Sequence, residues 1–372
     1  MSLLQWLRPK PRPMLGSVDL AAPPAALDPF AVYETLRRAG PVHYLPKHDF
    51  WLVLSYAAVK RALERADEFS NNPYRPIDAV LLAADPPRHT AVRKLVAPLF
   101  STDSTSRVEA AAAAEAKARL VPRFDAVAGF SLAVSRAAAA ALLGLDPATA
   151  AELAAAVDSA AAEAESVEAL VDAVTRFADR SPLFPSLGAE GPEHLSQAEA
   201  RSLIRLLWLA ATTTTERVIT RSILCLLSQP ELRSALVSDP GLVGRYVEEV
   251  MRLYPPELIL PRRATRPTSL AGSRIPAGAD VRLCLAAANR DPAAWTEPAR
   301  LSLERAPKHH LTFGGGAHRC LGAGLARRVA PVALAALLDR SATLRAEEPL
   351  DRLDWFASVT ALAPTRLLVA ID

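Results

Sequence analysis

Cys320 stands in the run Phe313-Gly314-Gly315-Gly316-Ala317-His318-Arg319-Cys320-Leu321-Gly322. Consecutive glycines let backbone approach a flat ligand closely and adopt positive φ. The cysteine falls where this loop gives way to a helical pattern, so backbone amides and the helix dipole favour its thiolate form. His318 and Arg319 add positive charge beside it. A thiolate so placed can bind iron axially and push electron density onto the metal. Taken alone, the cysteine fits a buried inert thiol better, the usual state of a free cysteine. Glycine-rich loops also cradle phosphates, but no Gly-Lys-Ser/Thr follows this one and Gly-x-Gly-x-x-Gly is absent from it.

Other residues are spaced for chemistry. Glu249 and Arg252 lie at i, i+3 on one helical face and can pair. His89 and Arg93 share a face four residues apart, which suits a grip on two carboxylates or a plain surface pair. In Ala210-Ala211-Thr212-Thr213-Thr214-Thr215, hydroxyls crowd mid-helix, where threonines can bond the carbonyl of residue i−4.

These groups must be positioned by a chain of 372 residues, 51% hydrophobic, with 31 prolines against 15 glycines. That balance points to helices joined by rigid turns. Helical spacing runs over Pro29–Arg38, Tyr56–Ala66, a helix after Asp85-Pro86-Pro87 with Asp85 as its cap, and the Ala-rich stretch Ser106–Asp179, broken near Gly144 and Asp146-Pro147. It continues over Gln197–Leu227, Pro240–Tyr254 and Leu321–Leu338, with a loop from Pro182 to His194. Strands are expected at Trp51–Leu54, Val281–Leu285 and Arg366–Ile371, with hairpin turns at Ser269–Gly272 and Ile275–Gly278. Residues 1–28 read as an extended Pro-rich leader to a single domain spanning 1–372. Strand content gathers near the two ends of an otherwise helical chain.

A formal charge of +3 without a basic block implies no nucleic-acid partner. Three cysteines standing far apart, with no C-x-x-C, argue against a disulfide framework, zinc ribbons and iron–sulfur clusters. The apolar N-terminal stretch is too short for a signal core. No stretch of roughly 18 apolar residues runs free of charge, so a soluble cytoplasmic protein without membrane contact is expected.

Phe-x-x-Gly-x-His-x-Cys-x-Gly, filled here by Phe313, Gly316, His318, Cys320 and Gly322, resembles the haem-binding loop of cytochromes P450. Further landmarks fall in that family's order along nearly the whole chain. The resemblance implies a mainly α fold with small β-sheets, a triangular helical prism with haem between the oxygen-side long helix and the helix that follows the cysteine loop. It implies haem b (iron protoporphyrin IX) held by Cys320 as the metal ligand, with Phe313, Gly314 and Gly322 around it. His89, Arg93, Arg262 and His318 would grip the propionates. Glu249, Arg252 and Arg305 resemble the family's buried structural cluster. Ala288-Asn289-Arg290-Asp291-Pro292 is a further hallmark to which no chemistry is assigned.

On the oxygen side the chain departs from the family. Thr214 aligns with the threonine that hydrogen-bonds dioxygen, but the preceding acid is replaced by Thr213 and the groove glycine by Ala211. An acid there would feed protons. Glu216 lies too far round the helix to substitute simply. Shortened segments at 70–85 and 146–196 imply an open mouth over a pocket of Leu209, Ala210, Thr213, Leu258, Ile259 and Val359. They point to a bulky, peptide-like or carrier-tethered substrate, although a compact heat-stable enzyme would show the same shortening.

The resemblance therefore implies a monooxygenase that oxidises a secondary-metabolite-type organic substrate with dioxygen, fed electrons by a separate ferredoxin and ferredoxin reductase. Arg88, Lys94, Arg319, Arg327 and Arg328 would be its docking charges. Two alternatives stand beside it. One is a peroxide-using or coupling enzyme, because the proton-relay acid is missing. The other is a non-catalytic helper, which would be expected to lose the cysteine.

Overall fold

A computed structural model describes residues 18–74, 80–163, 167–188, 195–305, 309–340 and 343–372. The chain divides into two compact units, each assembled from segments distant in sequence: residues 1–75, 249–320 and 355–363 in one, and 76–248, 321–354 and 364–372 in the other.

The first unit is built on a five-stranded sheet. Its spatial order is Val42–Leu45, Phe50–Val53, Asp280–Cys284, Ile259–Ala264 and Phe69–Ser70. Phe50–Val53 runs parallel to Asp280–Cys284, and the other pairings are antiparallel. Every residue of Phe50–Val53 is buried, as a continuous apolar run between two neighbours requires. Helix Pro29–Ala39 starts with proline in its first turn behind Asp28, whose carboxylate accepts the Ala31 amide. Helix Tyr56–Glu64 buries Ala58, Val59, Ala62 and Leu63 in a cluster with Val281 and Leu283 of the sheet. Strands Thr268–Leu270 and Ser273–Ile275 form the expected hairpin, turning at Ala271 and Gly272.

The second unit is helical. Helices Thr102–Arg119, Ala133–Leu143, Gln197–Ser228 and Ala323–Arg340 pack on one another, and alanine at Ala112, Ala116, Ala138 and Ala139 keeps their contacts close. A capping box starts the 32-residue helix: the Ser196 hydroxyl accepts the Glu199 amide while Glu199 accepts the Ser196 amide. Strands Arg123–Asp125, Leu368–Ile371 and Leu344–Ala346 make a small antiparallel sheet. Two stretches have the length and apolarity of a membrane span, Ala126–Leu143 and Gly316–Arg340. Both are core elements, with 56% and 50% of those windows buried.

Several expectations need correction. Within the leader, residues 1–17 lie outside the described residues and Pro23–Leu27 is helical rather than extended. Asp85 is not the cap of the next helix. That helix is Arg88–Val96 with Pro87 in the cap position, and Asp85 contributes its carbonyl to the His89 amide instead. The Ala-rich stretch is broken a second time, by strand Arg123–Asp125 and a π-helical turn Ala126–Leu132. Asp125 explains the break: its carboxylate accepts the amides of Val127 and Leu367, tying the turn to the last strand. The loop at 182–194 contains helix Leu183–Leu187, and residues 189–194 lie outside the described ones.

Candidate active site

The cysteine loop belongs to the first unit. A 3-10 turn, Leu311–Phe313, leads into Gly314 at φ 67°, and a second, Gly316–His318, leads to Cys320. The final helix starts at Ala323, two residues later than expected. The Phe313 carbonyl accepts the Cys320 amide at 2.8 Å, so the loop closes on itself across its glycines. Gly316 sits at φ 61°, where a Cβ would lie 2.3 Å from the Leu63 carbonyl oxygen. Only glycine allows that approach.

Beneath the loop, Glu249, Arg252 and Arg305 come together. Arg252 is 1% exposed and grips Glu249 with two bonds, Nε to Oε1 at 2.8 Å and Nη2 to Oε2 at 3.0 Å. Its remaining hydrogens reach the carbonyls of Asn289, Pro298 and Arg300, and its guanidinium lies over the Trp295 ring. Arg305 Nε adds a third bond to Glu249 at 3.0 Å and donates to the Thr296 carbonyl. Burial alone would raise the Glu249 carboxyl. The bonds and charge of Arg252 and Arg305 outweigh it and hold the group below its ordinary range. The sequence singled out Asn289-Arg290-Asp291 without a role, and the structure places the triplet next to this cluster, with the Asn289 carbonyl on Arg252. Arg290 donates to the Leu253 carbonyl and lies over the rings of Phe30 and Tyr254. Asp291 accepts the Tyr56 amide at 2.8 Å and pairs with Arg37. A polar triplet placed straight after the apolar run Leu285–Ala288 was the available signal.

Arg262 is also on this unit, buried, with Nη1 donating to the Pro261 carbonyl and its side chain bonded to the Tyr74 hydroxyl. Burial pushes that phenol up to about 12 against the lowering charge of Arg262. Leu258 and Ile259 are buried in one apolar cluster with Val359 packed against it.

The second unit carries His89, Arg93 and the threonines. His89 is 2% exposed, and burial, with Arg93 nearby, holds its imidazole below the ordinary 6.5 against the opposing pull of Asp85. At neutral pH it is a neutral donor and acceptor. Along Gln197–Ser228 most positions past the first turn are buried, but Leu209, Ala210, Ala211, Thr213 and Thr214 form an open or half-open stripe. On it Thr213 Oγ1 donates to the Leu209 carbonyl at 2.9 Å and Thr214 Oγ1 to the Ala210 carbonyl at 2.6 Å. Thr212, buried, donates to the Trp208 carbonyl. Glu216 is buried with its Oε1 accepting the Thr220 hydroxyl at 2.7 Å. Burial raises its carboxyl, aided by Asp125 and only partly opposed by Thr220 and Arg217. It is a second acid on this helix, committed to a different partner.

Of the expected docking charges, three are engaged by carboxylates of their own unit: Arg88 by Glu199, Arg327 by Glu248 and Arg328 by Glu109. Lys94 and Arg319 are exposed.

These residues fit a metal that brings its own equatorial ligands. Cys225 and Cys284 are buried, whereas Cys320 is exposed, unusual for so apolar a side chain. Among the described residues no group of three or more His, Cys, Asp or Glu could hold a metal ion. A lone thiolate therefore suits iron already held by a macrocycle, with buried Arg262 on the same unit suited to a carboxylate of such a group. Fold and site together define a haem-thiolate oxidoreductase.

Comparison with known proteins agrees. The cytochrome P450 family model matches residues 241–368. The chain is 32% identical to cytochrome P450 CYP199A2 of Rhodopseudomonas palustris, over 91% of each chain. It is 31% identical to the cytochrome P450 monooxygenase PikC of Streptomyces venezuelae, over 89% of this chain and 88% of that one. The structure of HmtN, a post-tailoring hydroxylase involved in himastatin biosynthesis, superimposes with a TM-score of 0.85 at 26% identity, covering 94% of this chain and 99% of that one. The chain belongs to the cytochrome P450 family: it is a monooxygenase whose cofactor is haem b, and the family's needs of an organic substrate, dioxygen and redox partner proteins apply to it.

Proposed function

We propose that this enzyme oxidises a bulky, secondary-metabolite-type substrate, free or tethered to a carrier, in the cytoplasm, with electrons from a separate ferredoxin and its reductase. In this reading Cys320 is the iron ligand, backed by Phe313, Gly314 and Gly322. His89, Arg93, Arg262 and His318 hold the haem carboxylates. Haem, when bound, supplies the oxygen chemistry. Leu209, Ala210, Thr213, Leu258, Ile259 and Val359 shape the substrate side. The observation that carries the reading is that Ala210 and Thr213 are exposed, with Leu209, Ala211 and Thr214 half-buried beside them, in the middle of a helix most of whose positions are buried. HmtN, as a post-tailoring hydroxylase, supports the substrate class. The test is a screen of large metabolites for the low-to-high-spin shift of the ferric protein. A shift only with small fatty acids or small aromatics would overturn the substrate class.

One feature favours a second reading of the electron source. The hydroxyl protons of Thr213 and Thr214 are spent on the carbonyls of Leu209 and Ala210, and Glu216 is bonded to Thr220. The threonines so held accept hydrogen bonds but do not donate protons. In this second reading hydrogen peroxide, which already carries the two electrons and two protons that dioxygen lacks, replaces dioxygen and the ferredoxin. Comparing product per peroxide with product per reduced ferredoxin decides between the two.

A further inference from the structure

Asn289 follows the helical turn Leu285–Ala288 and is fully buried. Its Oδ1 accepts the Leu311 amide at 2.7 Å and its Nδ2 donates to Thr312 Oγ1 at 2.9 Å. Thr312 passes its own hydroxyl proton to the Met251 carbonyl at 2.8 Å. The Asn289 carbonyl takes Nη1 of Arg252, so the residue is anchored from behind by the charged cluster. The residues it holds in front, Leu311 and Thr312, form with Phe313 the turn whose last carbonyl accepts the Cys320 amide. All of these groups lie in one unit.

That amide matters because it lies next to the sulfur. While Phe313 holds it, the peptide preceding Cys320 has one orientation. Released, the N–H is free to donate to sulfur and withdraw electron density from it, as hydrogen bonds to a ligand atom do.

We propose that Asn289 is a positioning residue for Cys320: by fixing the Leu311–Phe313 turn it keeps the Phe313 carbonyl on the Cys320 amide, and so sets how strongly the sulfur donates. The inference rests on Cys320 being the iron ligand. It assigns a task to the triplet that sequence reasoning left without one, and it separates that task from the stabilising work of Glu249, Arg252 and Arg305.

The test uses the haem-loaded full chain with Asn289→Leu, Asn289→Asp and, as a control for lost stability, Leu283→Ala in the buried sheet. Asn289→Asp keeps the acceptor for Leu311 and loses the donor to Thr312. The readouts are the ferrous carbonyl spectrum, the ferric–ferrous potential and the melting temperature. In Asn289→Leu, losing these buried bonds should speed conversion of the thiolate-type carbonyl band to the thiol type about tenfold. Asn289→Asp should fall between, and the potential should rise in the same order. Unchanged conversion and potential in both variants overturn the proposal whatever the melting temperature does. Equal changes in Leu283→Ala also overturn it, because the effect is then general loosening. If Asn289→Leu does not fold, Asn289→Asp and Thr312→Val carry the same comparison. A thiol-type band in the unsubstituted chain would remove the Cys320 assignment itself, an outcome independent of residue 289.

Discussion

Two buried glutamates, one beneath the cysteine loop and one on the threonine helix, are treated in opposite ways by their surroundings. Glu249 receives bonds from two arginines and from the Ser302 amide, and it titrates below the ordinary range. Glu216 receives one hydroxyl and titrates above it. The difference extends to whole regions. Around Glu249 the bonds join segments far apart in sequence: Met251 to Thr312, Asn289 to Leu311, Asp291 to Tyr56. Around Thr212–Thr214 the side-chain bonds are local, each hydroxyl turned back on its own helix. The first region ties the cysteine loop to distant segments of its unit. The second is held by bonds within one helix, so a change of one exposed side chain there leaves the long-range bonds in place.

The comparison can be broken most severely at its first member. Cys320→Ala should abolish the thiolate-type ferrous carbonyl band completely, and a normal band in that variant would end the interpretation. Arg252→Ala strips the partner from a buried carboxylate and should cost about 3–5 kcal/mol, read by denaturant unfolding. A loss under about 1 kcal/mol, typical of an exposed pair, would mean the cluster is not closed from water.

On the second member, Thr213→Glu places an exposed acid beside Thr214, the role the proposed reading gives to a proton donor. Coupled turnover with reduced ferredoxin should rise by about tenfold to a hundredfold while peroxide turnover changes little. No gain would show that protons reach the site by another route.

The smallest effect separates the two glutamates by pH. The Glu249 carboxyl is lowered in the folded chain, so its stabilisation is present above its ordinary 4.5 and is lost as pH falls through the lowered value. The Glu216 carboxyl is raised, so the folded chain is favoured below 4.5 and penalised as pH climbs toward the raised value. Glu249→Gln should therefore flatten the acid side of the stability profile and Glu216→Gln the side above 4.5. Identical profiles for the two variants would show that the opposite shifts do not exist in solution.

Much of this was legible in the residues, for different reasons. The cysteine loop and the helices around it follow from local signals: glycines, prolines and apolar spacing. The bounds of Gln197–Ser228 and Val243–Leu253 come close to the expected ones because a capping serine and a proline pair mark them. Strand Arg123–Asp125 and the π-helical turn were not legible, since they depend on Asp125 meeting the chain's last strand, 242 residues away. The burial of Glu216 was equally hidden: one glutamate in a helix reads as solvated until its packing partners are known. The cap at Asp85 failed for a simpler reason. The two prolines that follow it delay the helix, and Pro87 takes the capping place.

Gly316 constrains the gene as well as the fold. A glycine codon altered at either of its first two bases specifies a residue with a Cβ or ends translation, and here that carbon would meet the Leu63 carbonyl and the Glu64 Cα, backbone atoms that cannot swing aside. Position 316 can therefore drift only through synonymous changes, whereas a codon on the threonine stripe can wander and bring new chemistry with it.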